Sequence, residues 1–156
     1  CMLMVLVVSF SVLLLTAFCV KTKHLHLFEL LAIWFTVTAV NALVYTYFLV
    51  NKHWITVPDS KELALVRITW SLILNPIIIT WVLDKVLLLK HFIVRLLCYI
   101  ATLGVLFLGG WTFHVFGVAR FVSVGLLWYI PFKSIVLIMA LCSVWMIRLL
   151  IRSDGI

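Results

Sequence analysis

Polar residues in this chain fall in short clusters, and long apolar runs separate them. Five runs stand out, at about residues 2–20, 27–50, 63–83, 92–113 and 131–150. Each reaches the roughly 18–20 residues an α-helix needs to cross the hydrocarbon core of a bilayer. The breaks carry residues typical of span ends. Lys21-Thr22-Lys23-His24 closes the first run and Asn51-Lys52-His53-Trp54 the second. Asp84-Lys85 and Lys90-His91 close the third, and Arg148 and Arg152 end the last. Pro58-Asp59-Ser60 supplies a turn in the longest polar loop. The pattern predicts an all-α integral membrane helical bundle of about five transmembrane helices, a single domain over residues 1–156. Residues 114–130, HVFGVARFVSVGLLWYI, fit no span. Their glycines, Arg120 and aromatics suit the headgroup region, so an interfacial or shallow re-entrant hairpin is expected before the last span. Pro131 then sits near that span's start, where a missing N–H costs little.

Composition narrows the class. The chain is 67% hydrophobic and 11% charged, with a mean hydropathy of +1.32. Soluble domains run at about 45–50% apolar and about 25% charged, so a soluble domain is excluded. The formal charge of +7 does not point to nucleic acid, because the basic residues flank apolar runs and form no stripe or arm. Five spans place Lys21, Lys23, Lys85, Lys90, Arg95, Arg148 and Arg152 on one side, and Lys52, Lys61, Arg67, Arg120 and Lys133 on the other. The positive-inside rule puts the first group in the cytoplasm, with the N-terminus outside and the C-terminus inside. Cys1, Cys19, Cys98 and Cys142 show neither C-x-x-C nor metal-ligand spacing. Three of them lie in apolar runs, where cysteine is expected to be a small buried hydrophobe. No disulfide framework, metal site or cofactor is expected. The start lacks a basic region and a small-residue cleavage site, so the first run is read as a retained span, with Cys1 leaving room for residues upstream. No internal repeat is evident.

The candidate chemistry lies inside the spans. Pro76 cannot donate to the Leu72 carbonyl, and its ring disfavours the α conformation at Asn75, so a kink or weakened turn is expected there. Arg67, Ser71 and Asn75 follow at i, i+4, i+8 and share a face that must point into the bundle or an aqueous cleft. Trp34, Thr38, Asn41 and Tyr45 share a face of the second span. At about 1.5 Å per residue, Asn41 and Asn75 lie roughly 15–18 Å from the same surface, so a midplane hydrogen bond between them is expected. The simpler reading of that pair is a helix–helix contact of about 0.6–2 kcal/mol; the sharper one is a polar binding site.

Other polar residues have plainer readings. Glu29 is expected to complement its helix N-terminus and to pair with a cation such as Lys85 or Arg95. His24 and His26 beside it offer too few ligands for a metal. Gly110, His114 and Gly117 share a face near the other surface, with His114 read as interfacial. Trp70 and Trp81, each preceded by Thr, are expected to mark the two interfaces. Arg148 and Arg152 suit a helix C-terminus and anionic lipid.

Three blocks, HLFELLAIWF, LILNPIIITWVLD and LLWYIPFKSIVLI, carry a resemblance. The chain resembles, over about residues 25–150, a family of small multi-spanning membrane proteins from Bacillus-type spore-forming bacteria. The matching features are Glu29, Pro76 and the Trp128-Tyr129-Ile130-Pro131 approach to the last span. The resemblance implies a bacterial plasma-membrane location and brings no catalytic residues with it. No nucleophile–base pair, metal cluster or phosphate loop is legible. The leading expectation is therefore a protein that binds membrane lipid or a membrane-protein partner, including a second copy of itself. The alternatives are a small oligomeric transporter hinged at Asn75-Pro76, and an intramembrane lipid-modifying enzyme using Glu29, His24 and His26.

Overall fold

The computed structural model describes residues 2–21 and 24–153, with all their side chains except those of residues 123, 124, 126, 152 and 153. Expectations resting on Cys1, Lys23 and the Arg152 side chain lie outside the described residues. Helix α1 covers Met2–Val20 and α2 covers Leu27–Thr46, which runs on as a π-helical turn, Tyr47–Asn51. A two-residue strand, β1 (Ile55–Thr56), precedes α3 (Lys61–Thr69), a π-helical turn (Trp70–Leu74) and α4 (Asn75–Val86). Then come α5 (Phe92–Val115), β2 (Arg120–Phe121) and α6 (Ser123–Ser153). Among the described residues, five helices are long and apolar enough to cross a membrane, with α3 and α4 forming one of them. The protein is an integral membrane helical bundle.

The weakness at Pro76 takes a definite form. Asn75 remains helical, at φ −59 and ψ −51, and donates its backbone N–H to the Trp70 carbonyl five residues back. The chain absorbs the missing proline N–H by widening one turn, not by leaving the α region at Asn75. Such single π turns recur where a helix is locally strained.

The last helix also differs from expectation. It starts at Ser123, so Pro131 lies in its interior. Proline removes one backbone bond there, and Ser134 Oγ donates to the Ile130 carbonyl at 3.1 Å in the same turn. The carbonyl that Pro131 leaves without its N–H is that of Leu127, four residues back, so the Ser134 bond does not replace the lost one. The expected hairpin at 114–130 does not fold on itself. Gly117, at φ +68, ends α5, a left-handed position that glycine takes without strain. β2 then pairs antiparallel with β1 from the other loop, Ile55 opposite Phe121 and Thr56 opposite Arg120. Val122 N–H donates to the Trp54 carbonyl at 2.9 Å and extends this ribbon.

The dry core occupies one half of the bundle. Ile33 and Val37 of α2, Ile79 and Leu83 of α4, Leu106 of α5, and Val136, Leu137, Ala140 and Val144 of α6 are buried together. α2 packs chiefly on α6 and on α4, while α3 leans on α1. Cys19 and Cys142 are exposed, on faces that meet lipid in a membrane, and Cys98 is half-buried. They are thus not the buried hydrophobes expected.

At the end holding the α1–α2 loop, polar groups are consumed by the fold. Asp84 accepts from the backbone N–H groups of His24 at 2.7 Å and Leu25 at 3.1 Å. His26 caps α2: its backbone N–H donates to Glu29 Oε2 at 2.8 Å, and its ring accepts from Phe28 N–H. Glu29, 4% exposed, pairs with Arg148 of α6 at 2.5 Å. The expected partners are otherwise engaged. Lys85 pairs with Asp84 at 3.4 Å, and Arg95 donates to the Leu89 carbonyl.

Candidate functional site

Above the dry core, α2, the α3–α4 helix, α5 and α6 surround a cavity of about 400 Å³. Its centre is Lys133. The long helix α6 carries this residue ten positions past its own start, well inside the span. Lys133 is 8% exposed. Its Nζ donates to Asn41 Oδ1 at 2.8 Å. The hydrogen-bond network turns the Asn75 amide so that Oδ1 faces two donors, Trp70 Nε1 at 3.2 Å and Lys133 Nζ at 3.3 Å. The Tyr129 ring lies 5.3 Å from the same ammonium.

Arg67 reaches the cavity from α3. Its guanidinium donates to the Val118 carbonyl at 3.2 Å, beside the ribbon. Ser71, one turn on, lines the same wall. The expected face Arg67-Ser71-Asn75 therefore does converge on one space. The expected bond between Asn41 and Asn75 is replaced: both carbonyl oxygens meet the Lys133 ammonium, which stands between them. Trp70 is no interface marker. Its indole donates inward and its ring packs on Phe113 at 5.2 Å.

Two glycines make room for these walls. A Cβ at Gly109 would stand 2.2 Å from the Trp70 ring, and one at Gly110 would stand 2.5 Å from the Tyr129 ring. Tyr129 is held in place by donating its hydroxyl to the Leu106 carbonyl at 3.1 Å.

The electrostatic balance is one-sided. Arg67 and Lys133 both line the cavity, and no carboxylate is among the described residues around it. A lysine at the centre of a span costs about 2.5–3.5 kcal/mol by insertion scales. Two amide oxygens and an aromatic face offset part of that. Two further polar atoms have no partner: Asn41 Nδ2 and the Tyr45 hydroxyl. Buried polar groups are normally satisfied by protein or by ordered water, and three more such atoms, Thr38 Oγ1, Thr80 Oγ1 and Trp81 Nε1, belong to residues outside the cavity lining. What is left unspent is mostly donor capacity. Lys133 has three N–H groups and uses two on amides, Arg67 keeps further guanidinium N–H groups, and Asn41 Nδ2 can only donate.

Other expected positions fall elsewhere. Pro76 is buried behind Asn75. His114 Nδ1 accepts from the Phe121 N–H at 3.1 Å and so fixes the ribbon to α5. Glu29 lies at the opposite end of α2 from Asn41, in the helix cap. Lys133, Tyr129 and Trp70 are the residues that sequence reasoning missed. The signal was a single lysine inside the run Leu126–Leu141, which carries no other charge. An intramembrane lysine of that kind calls for a buried partner. No family model, no curated protein and no solved structure matches this chain.

Proposed function

We propose that this protein binds an anionic ligand in the cavity around Lys133. One observation carries the reading: two cations, Arg67 and Lys133, face a buried space that holds no described carboxylate. An acceptor-rich anion balances that charge and takes up the cations' remaining N–H groups. The ligand-binding reading also suits the cavity's size, which lies in the roughly 300–1,000 Å³ range of small-molecule sites. Thermal unfolding in neutral detergent tests it. Dodecyl phosphate at 100 times its Kd should stabilise the wild-type chain by about 2.7 kcal/mol. The Lys133→Met variant should show little shift. Equal shifts in both proteins would overturn the proposal.

Transport is the second reading, and one feature favours it. The cavity reaches Asn75, directly beside the π-helical turn where the α3–α4 helix is weakest. Below that point Ile33, Val37, Ile79 and Leu83 are buried in a dry cluster, so the path is closed and binding ranks first. The lipid-modifying enzyme has less support, because His26 and Glu29 are spent on the α2 cap and the Arg148 pair.

The resemblance to the spore-former family and a bacterial plasma-membrane location belong to this proposal. So does the orientation. Arg67 and Lys133 face the cavity, which leaves Lys52, Lys61 and Arg120 as the flanking cations of their side against seven on the other. This wider bias supports an outside N-terminus. In a chain without its native cysteines, Ser60→Cys should react with an impermeant thiol reagent from outside and Lys90→Cys should be protected. The reverse pattern would invert the topology.

A further inference from the structure

The cavity has a side opening. Ala42 and Thr46 of α2, and Ile68 and Leu72 on the facing helix, line it and are also exposed. Ile68 is 55% and Leu72 43% exposed. The opening exists because α2 packs on α4 and α6 while α3 leans away onto α1. Toward the loops the space is bounded by Ile55, Ala119 and Phe121, which the β1–β2 ribbon and its approach supply. Toward the other end it meets the dry core. In a bilayer the side opening faces hydrocarbon.

From this arrangement we infer that the ligand is a lipid phosphate monoester, admitted sideways between α2 and α3, with its headgroup at Lys133 and its chains left in the bilayer. The inference rests on the anion-binding reading above and adds the ligand's class and route. Charge complementarity selects the headgroup. A phosphate monoester carries about −1.5 to −2 at pH 7 and presents three strong acceptor oxygens, which matches two cations. A phosphodiester lipid or a fatty acid carries one negative charge. Asn41, only 7% exposed, and Tyr45 line the same wall with one unpaired polar atom each, Nδ2 and the hydroxyl. The apolar mouth selects a lipid over a free anion, because a soluble phosphate would have to cross hydrocarbon or the ribbon to reach Lys133.

The full chain is reconstituted in phosphatidylcholine nanodiscs containing a minor fraction of either phosphatidic acid or phosphatidylglycerol. Lipid retained after transfer to detergent is measured by native mass spectrometry. One phosphatidic acid per chain is expected, favoured over phosphatidylglycerol by roughly tenfold or more, the scale of one buried charge contact. Ala42→Trp, which fills the mouth from an exposed position, should lose it. Ile135→Trp, exposed on α6 away from the cavity, should keep it. A separate arm measures thermal stabilisation by inorganic phosphate. If phosphatidic acid is retained no better than phosphatidylglycerol, or Ala42→Trp retains it fully, the lipid inference falls. Where inorganic phosphate still stabilises the wild type and not Lys133→Met, the anion site survives that failure. If neither phosphate nor either lipid separates wild type from Lys133→Met, both readings fall.

Discussion

Replacing Lys133 with methionine changes two opposing terms of similar size. The ammonium gives two hydrogen bonds to amide oxygens, and a bond to a charged group contributes about 1.5–3 kcal/mol. Against them stands the cost of a lysine deep in a span, about 2.5–3.5 kcal/mol. Lys133→Met alone should therefore destabilise the ligand-free protein by only about 0–3 kcal/mol. The informative measurement is the same change with Asn41→Leu already present. The lysine then has one bond left to lose, and its removal should be neutral or stabilising by up to about 2 kcal/mol. The coupling between the two sites should equal one charge-assisted bond, about 1.5–3 kcal/mol. Equilibrium unfolding of the wild type, both single variants and the double variant, in mixed micelles of rising denaturing detergent, gives all four values. Additivity within about 0.5 kcal/mol would refute the shared bond. A double variant as stable as the wild type but unable to bind dodecyl phosphate would identify Lys133 as a residue kept for binding at the expense of stability.

Three other outcomes follow from the geometry. Gly110→Ala should cost about 1–3 kcal/mol in thermal unfolding, because its Cβ would overlap the Tyr129 ring, whereas Gly104→Ala meets nothing within 4 Å and should be neutral or mildly stabilising. Pro76→Ala restores an N–H for the Leu72 carbonyl; the π turn should relax to α, rotate Arg67 and Trp70 away from the cavity, and weaken dodecyl phosphate binding while the fold persists, with hydrogen exchange at the new amide reporting the bond. For the Glu29–Arg148 pair the two truncations should differ: Arg148→Ala strands a carboxylate whose side chain is 5% exposed, whereas Glu29→Gln leaves an arginine that is 43% exposed and can rehydrate, so unfolding should show the larger loss for Arg148→Ala.

The five helices are legible because each apolar run is long and four of the five end in charge, the fourth ending instead at His114. The candidate site was half legible. Asn41 and Asn75 were placed at one depth by counting residues, and they do converge. Their shared partner is hidden in the sequence, because Pro131 near the start of a span places Lys133 at the span's end. Begin the helix at Ser123 instead and the same lysine lies ten residues, about 15 Å, from the helix start, in the wall of the cavity. The inward setting of Trp70 is hidden for a related reason. Its direction depends on the π turn that starts at it, and no periodicity count anticipates an extra residue in a turn. The ribbon was illegible because its strands are two residues each and come from loops distant in sequence.

Asn41–Lys133 and Glu29–Arg148 both join α2 to α6, one near each end of an otherwise apolar contact. The two helices run antiparallel, so the polar contacts act as rungs. Along α2 they are twelve residues apart, about 18 Å, and along α6 fifteen residues, about 22 Å, a mismatch that long lysine and arginine side chains absorb. Greasy helices in a bilayer slide past one another at small cost, since lipid and leucine are equally good neighbours. Here a slip of one turn, about 5.4 Å, would strand an ammonium and a carboxylate simultaneously. The rungs thus work as a vernier. They give an apolar pair of rods one alignment, and in doing so they fix the height at which Asn41 and Lys133 face each other across the cavity.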